Sequence, residues 1–149
     1  MKKVLYTLVA VALAGAAGCG DENTGDNEIK VYTPRGQVTM TYTDLVVGTG
    51  ETVKKGDTVD VHYTGKLTSG KKFDSSLDRG KPFRVENVGS ANVIKGWNEG
   101  IPGMKVGGKR MLYIPYELAY GEEGMPPAIP PRAKLVFEVE VLKIVPPGD

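Results

Sequence analysis

The segment Val93-Ile94-Lys95-Gly96-Trp97 holds the only tryptophan of the chain, at the start of a short helical pattern and separated by two residues from a β-branched pair. An indole buries a large, rigid apolar surface and usually needs a partner for its N–H group. Trp97 is therefore a candidate floor for an apolar binding site. On this segment alone, a plain core position is an equally open interpretation.

Five further motifs surround this one in the sequence. They are Val61-His62-Tyr63-Thr64-Gly65, Gly70-Lys71-Lys72-Phe73-Asp74-Ser75-Ser76, Ala119-Tyr120-Gly121, Ile129-Pro130-Pro131 and Leu135-Val136-Phe137. Each is ambiguous by itself, because aromatic residues in strands are more often core than site. Asp74 before two serines could equally be a turn-forming carboxylate. The ordered set is what favours a functional site.

In that order and at those spacings, the six motifs resemble the FKBP family of peptidyl-prolyl cis-trans isomerases, the immunophilins that bind rapamycin-like macrolides. The resemblance runs from about Thr39 to Val145. It implies an α+β fold in which a strongly bent antiparallel β-sheet wraps around one short α-helix. It also implies a monomeric isomerase that uses no cofactor and binds proline-containing polypeptides and macrolides of the rapamycin type.

The same resemblance assigns roles to individual residues. Trp97 would be the floor of a cup under the proline ring. The implied walls are Tyr63, Phe73, Phe83, Val93, Ile94, Phe137 and, in a proline-rich loop, Ile129. Ile94 would also lend its backbone N–H to one substrate carbonyl, and Tyr120 its hydroxyl to another. Asp74 would lie near the reacting carbonyl, held by Tyr63 and Arg79.

These residue types suit the reaction. Prolyl isomerisation needs no nucleophile, metal or general base, because its barrier of about 18 to 20 kcal/mol is amide resonance lost when the C–N bond twists. A catalyst must therefore bind the twisted imide more tightly than the planar one. A thousandfold acceleration requires about 4 kcal/mol of such preference, at roughly 1.4 kcal/mol per tenfold. A dry aromatic pocket with one or two hydrogen-bond donors can supply it.

Strand-like runs separated by glycine-containing turns must position these residues. The run 58–63 alternates, so that Val59, Val61 and Tyr63 share a buried face while its other residues are expected to face water. The runs 109–114 and 135–142 alternate likewise, and the phase slips after Leu142, which predicts a bulge or a strand end.

One helix and one long loop complete the expected domain. Lys95 to Ile101 is the best candidate helix, and the glycines and proline around it confine it to about two turns. The segment 121–131 holds four prolines, which cannot form a helix or a strand ladder, so it is predicted to be a stiff loop. An antiparallel sheet with one dry face, covered by a short helix, is the natural architecture.

The N-terminal residues have the pattern of a targeting signal rather than of a folded domain. Lys2-Lys3 precede an apolar run that ends in small residues before Cys19, which predicts a secretory signal peptide over 1–18. The run is short for a retained transmembrane helix, which needs about 20 apolar residues. Ala16-Ala17-Gly18 before the only cysteine resembles the bacterial lipobox and predicts lipidation of Cys19. Ordinary cleavage after Ala14-Gly15-Ala16 stays open.

The predicted organisation is thus a lipoprotein signal over 1–18, a lipid-anchored flexible tether over 19–36 and an isomerase domain over 37–149. The tether assignment rests on polar, acidic composition. The lipid would hold the domain on a membrane of the bacterial cell envelope, facing outside the cytoplasm. A periplasmic position on the outer membrane is favoured where two membranes exist. Newly exported or unfolded chains would be its substrates.

Other kinds of site are disfavoured by composition. A single histidine, His62, without a cysteine partner cannot form a metal site, and its place on the polar face of a strand predicts a solvated side chain. Loss of Lys2 and Lys3 with the leader leaves 17 basic against 18 acidic residues, so nothing attracts nucleic acid.

Two alternatives to catalysis remain open at this stage. The same pocket could hold a proline-containing segment of one partner without turnover, or act as a weak chaperone on the membrane. The domain could also be inert, with the role resting on the tether and lipid. In the loop, Met125 stands where the best-known eukaryotic members carry histidine, which predicts an altered preference for the residue before proline.

Overall fold

The computed structural model describes residues 27–147 of the 149-residue chain. The predicted signal peptide and Cys19 lie outside the described residues. The strands are β1 (Asn27–Thr33), β2 (Gly36–Val46), β3 (Thr58–Leu67), β4 (Lys72–Ser75), β5 (Phe83–Val85), β6 (Lys109–Ile114) and β7 (Leu135–Val145). The helices are α1 (Ser76–Arg79), α2 (Lys95–Gly100) and a 3-10 turn (Tyr116–Leu118).

The strands form one antiparallel sheet in the order β1-β2-β6-β7-β3-β4, and β5 pairs with β3 beside this path. The predicted buried face of β3 is confirmed, since Val59 and Val61 are 0% exposed and Tyr63 is 7% exposed. The phase slip after Leu142 is a β-bulge: Val61 pairs with Val141, whereas Asp60 pairs with Lys143. An extra residue on one strand re-aims the side chains beyond it.

The predicted tether over 19–36 is wrong for its second half. Residues from Asn27 onward form β1, which pairs with β2 in unbroken register from Asn27–Tyr42 to Thr33–Gly36. The physical reason is apolar alternation within a polar segment: Val31 is 4% exposed in the core, with Ile29 packed against it. Gly36, at φ +123°, closes the turn. The folded domain therefore begins at least ten residues before the predicted boundary at 37.

The polar face of β3 is also less solvated than expected. Asp60 is 9% exposed because Arg84 binds both of its carboxylate oxygens, at 2.8 and 3.1 Å. His62 is half-buried, with Nδ1 2.8 Å from the Ser76 hydroxyl oxygen. Strand alternation identifies the two faces of a strand, but not which polar side chains neighbouring elements cover.

Helix α2 lies close against the buried face of the sheet, and its glycines make this possible. A Cβ atom on Gly96 would lie 2.5 Å from Cγ2 of Ile114, and one on Gly100 would lie 2.7 Å from Cδ2 of Leu112. Both partners are on β6 and 0% exposed. The close approach fixes the helix over the sheet, and with it the residue that follows Gly96, which is Trp97.

Candidate active site

A cavity of about 180 Å³ opens where α2, the sheet and the loops after β5 and β6 meet. Its lining residues are Tyr63, Asp74, Phe83, Asn92, Val93, Ile94, Trp97, Tyr120 and Phe137. Eight of these were predicted from the sequence. Such a volume suits a small apolar group rather than a large ligand held on all sides.

Trp97 is central in this cavity. It is 4% exposed, and its ring centroid lies 4.9 Å from that of Tyr63 and 5.3 Å from that of Phe137, with interplanar angles of 77° and 84°. Edge-to-face contacts of this kind stabilise aromatic clusters by about 0.5 to 1.5 kcal/mol per pair beyond their burial. The indole Nε1 is buried with no hydrogen-bond partner among the described residues. The rings around Trp97 thus hold its apolar surface in one place.

Two predicted walls do not line the cavity. Phe73 contacts Phe137 edge to face, at a centroid distance of 5.6 Å and an angle of 89°, and both rings lie against Gly65. Ile129 is 2% exposed within the hydrophobic core. Ile129 is thus part of the core, and Phe73 is a half-buried neighbour of the cavity residue Phe137.

Asp74 is the carboxylate of the site, and it is held on two sides. Tyr63 donates its hydroxyl to Oδ2 at 2.5 Å, and Arg79 donates Nη1 to Oδ1 at 2.8 Å. Arg79 also donates Nη2 to the Tyr63 hydroxyl oxygen at 2.7 Å, which closes a three-membered network. The following serines, Ser75 and Ser76, make the turn into α1, which presents Arg79 to the network.

The network sets the charge states of its members. Partial burial by itself would raise the pKa of Asp74, but the hydrogen bonds from Tyr63 and Arg79 outweigh it and hold the pKa below its usual value. Burial raises the pKa of Tyr63, and its hydrogen bond to Asp74 acts in the same direction. Burial also raises the pKa of Tyr120, with a smaller contribution from the Asp74 charge. At neutral pH the site therefore holds one carboxylate and two neutral phenols.

The lowered pKa of Asp74 predicts how the stability of the fold depends on pH. A carboxyl whose pKa is lower in the folded state stabilises the fold fully above the unfolded value of about 3.9, and this contribution is lost as the pH falls through the folded value. We expect Asp74→Asn to lower the free energy of unfolding at pH 6 by at most about 1 kcal/mol, since the carboxylate is half-exposed. At pH 2 to 3 the difference from wild type should shrink. Urea titrations at both pH values measure it.

Asp78→Asn is the control, because it removes an exposed carboxylate paired with Lys72 at 3.0 Å, away from the cavity lining. A deficit of Asp74→Asn that is the same at both pH values would contradict the ionised network.

Two hydrogen-bond donors at the cavity are available to a ligand. Within residues 27–147, the Tyr120 hydroxyl has no hydrogen-bond partner, and the Ile94 N–H donates to no backbone carbonyl. Ile94 is the N-cap of α2, so its N–H precedes the helical hydrogen bonds. Tyr120 is fixed by its loop, in which Gly121 N–H donates to the Tyr116 carbonyl at 2.9 Å. Both donors were predicted.

The proline-rich loop folds back on itself at its tip. Met125 and Ile129 exchange two backbone hydrogen bonds, of 2.8 and 2.9 Å, so that Ile129 enters the core while Met125 stays 52% exposed. Met125 is not among the lining residues. Asn92 does line the cavity, although no sequence pattern singled it out. Its position directly before Val93 was the one sequence signal that could have identified it.

Among the described residues no cluster of histidine, cysteine, aspartate or glutamate side chains could hold a metal ion. None of their helices is long and apolar enough to cross a membrane. Within residues 27–147, the site thus combines a cavity lined mainly by aromatic side chains, one carboxylate and two hydrogen-bond donors without a partner.

A family model described as FKBP-type peptidyl-prolyl cis-trans isomerase matches residues 49–142. The chain belongs to this family. Its FKBP relatives include the FK506-binding protein of Neisseria meningitidis serogroup B, 54% identical over 101 residues, which cover 68% of this chain and 92% of the relative. Peptidyl-prolyl cis-trans isomerase FKBP2 of Mus musculus is 58% identical over 91 residues, covering 61% of this chain and 64% of the relative. The chain spans only 28% of FK506-binding protein 4 of Dictyostelium discoideum.

Solved FKBP structures share the fold. AtFKBP13 superposes with a TM-score of 0.66 at 41% identity, covering 78% of this chain and 99% of the other. FkpA from Escherichia coli gives 0.65 at 44% identity, covering 78% and 52%. The predicted FKBP fold, an antiparallel sheet around one short helix, is confirmed. Peptidyl-prolyl cis-trans isomerisation is the activity that this membership assigns to the chain.

Proposed function

We propose that the cavity around Trp97 is the place of proline isomerisation and that the enzyme acts from a lipid anchor on exported chains. The observation that carries the first part is the pair of free donors, Ile94 N–H and Tyr120 O–H, beside an aromatic cavity. They fix the substrate backbone on either side of a proline ring seated on Trp97. The imide then twists in a poorly hydrated space that disfavours the more polar planar amide.

Asp74 supports this step through charge and position. Its carboxylate accepts hydrogen bonds from Tyr63, Arg79 and the Ser75 N–H, which favour the ionised form, and no proton needs to move in this reaction. Its negative charge faces the imide carbonyl carbon, whose oxygen loses charge as the resonance is broken. The network also holds the Tyr63 ring as a wall.

Tyr120→Phe tests the donor assignment. Removing one neutral hydrogen bond should lower kcat/KM by about three- to tenfold, equivalent to about 0.5 to 1.5 kcal/mol, while stability changes little because no described residue pairs with the hydroxyl. Tyr116→Phe is the control, since Tyr116 lies in the same loop outside the cavity lining. If Tyr120→Phe were as active as wild type, the Tyr120 hydroxyl would not be a hydrogen-bond donor to the substrate.

The support for the lipid anchor comes from the sequence alone. The chain has a charged start, a short apolar run and small residues before the sole cysteine. We propose that Cys19 is lipidated and becomes the mature N-terminus, which would hold a monomeric enzyme in the cell envelope. Mass spectrometry of the mature protein decides this. A diacylglyceryl-modified Cys19 at the N-terminus is the expected result, and an unmodified Cys19 or a start at Ala17 would contradict it.

We also propose that the cavity binds macrolides of the rapamycin type. The support is that several relatives carry the name FK506-binding protein. FK506 should quench or shift Trp97 fluorescence and inhibit isomerisation at the same concentrations, because it would occupy the same apolar floor as proline. Inhibition without a change in Trp97 emission would contradict binding at this floor.

A further inference from the structure

The wall of the cavity between Asn92 and Ile94 is the end of a long loop that follows β5. This loop is anchored at one point by Val88, which is 1% exposed and whose N–H donates to the Asp57 carbonyl at 2.8 Å. Neither Val88 nor Asp57 lines the cavity. Among the three residues that follow, 89–91, Ser90 donates its N–H to the Asn87 carbonyl at 2.9 Å, but the N–H groups of Gly89 and Ala91 need another partner.

Asn98 holds them. Its side chain, on α2 directly after Trp97, accepts hydrogen bonds at Oδ1 from the N–H groups of Gly89 and Ala91, both at 3.0 Å. Its Nδ2 donates to the Ala91 carbonyl, also at 3.0 Å. The residue is 9% exposed. A carboxamide is one of the few side chains that can serve two donors and one acceptor at once.

We propose that Asn98 is a positioning residue for the isomerase site, whose amide ties the cavity wall at Asn92, Val93 and Ile94 to the helix that carries Trp97. The proposal rests on the assignment of isomerisation to this cavity. Since Ala91 adjoins Asn92, the tie sets where the Ile94 N–H and the exposed Asn92 side chain meet the substrate, relative to the indole beneath it.

The substitution Asn98→Leu keeps the branched shape of the side chain and removes all three hydrogen bonds. Displacing the wall should lower kcat/KM by roughly tenfold at temperatures well below the melting point, since misplacements of about 1 Å can cost up to a hundredfold. The loss should vary among peptides with different residues before proline, because the tie positions Asn92 and Val93, which line the cavity. Asn98→Asp keeps Oδ1, which accepts from both N–H groups, but loses the Nδ2 donor to the Ala91 carbonyl, so its loss of kcat/KM should be smaller than that of Asn98→Leu.

Val31→Ala is the matched control for lost stability, since it truncates a buried side chain on β1 outside the cavity lining. It should lower the melting temperature and leave kcat/KM and the peptide ratios unchanged. If Asn98→Leu does not fold, Asn98→Ser, whose short hydroxyl cannot reach both N–H groups, replaces it with the same expectations.

A protease-coupled assay on a panel of Xaa-Pro peptides, with wild type alongside, gives the outcome. A lowered kcat/KM with altered peptide ratios in Asn98→Leu, and a smaller loss in Asn98→Asp, supports the proposal. A folded Asn98→Leu with wild-type kcat/KM and ratios overturns it while leaving the isomerase assignment intact. A wild type no faster than the spontaneous reaction overturns the assignment and the proposal together.

Discussion

Replacing Trp97 with alanine should lower kcat/KM for an Xaa-Pro peptide by about thirtyfold. Trp97 is the largest side chain of the cavity lining, and loss of the floor under the proline ring should cost about 2 kcal/mol of transition-state binding, the scale of one buried apolar side chain. The effect belongs in kcat/KM because the apolar floor, unlike bulk water, does not favour the planar, more polar imide. The protease-coupled assay measures it directly.

Truncating Trp97 will also weaken the fold, since tryptophan-to-alanine changes in cores cost about 3 to 5 kcal/mol. Trp97→Phe separates the two effects. It keeps a flat apolar floor and removes an N–H that is buried without a partner among the described residues, so it should lose less stability and less activity. Met40→Ala, buried on β2 outside the cavity lining, controls for stability. If Trp97→Ala were folded and fully active, Trp97 would not be the floor.

Gly96→Ala should lower the free energy of unfolding by about 1 to 3 kcal/mol and reduce activity with it. Alanine favours a helix over glycine by about 1 kcal/mol, so a solvent-exposed helix would gain stability from this change. Here the new Cβ would lie 2.5 Å from Cγ2 and 2.6 Å from Cδ1 of Ile114. The steric clash should outweigh the gain in helix propensity, because Gly96 and Ile114 both lie in the packed core.

Urea unfolding of Gly96→Ala, Ile114→Ala and the double variant tests this contact. The double variant should be more stable than the sum of the two losses predicts, since the methyl group introduced on the helix then fills space that the truncated Ile114 leaves. Lys95→Ala, exposed on the same helix, is the control. A Gly96→Ala protein as stable as wild type would mean that α2 is not seated this closely on β6.

Much of the site could be predicted from sequence because its residues sit on regular elements. Strand alternation identifies Tyr63 as inward-facing, and glycine and proline limit the helix that carries Trp97. The phase slip after Leu142 marks the bulge for the same reason. A period along a strand is a local property, and the sequence displays it directly.

The missed features depend on distances that no local pattern encodes. The family resemblance implied that Phe73 and Ile129 are cavity walls, but no local pattern shows that Phe73 stands beside Phe137 and that Ile129 lies in the core. Acidic composition concealed the alternation of Ile29 and Val31, so β1 was predicted to be part of a tether. The contact of Asn98 with Gly89 and Ala91 exists only because a loop folds back onto α2.

The measurement that tests the function of this cavity most directly is NMR exchange spectroscopy of a short Xaa-Pro peptide with the purified protein. The cis-trans exchange rate should rise in proportion to protein concentration, and FK506 that occupies the cavity should return it to the spontaneous rate. An exchange rate that stays at the spontaneous value, while the same peptide still changes Trp97 fluorescence, would contradict catalysis and identify a proline-binding module instead.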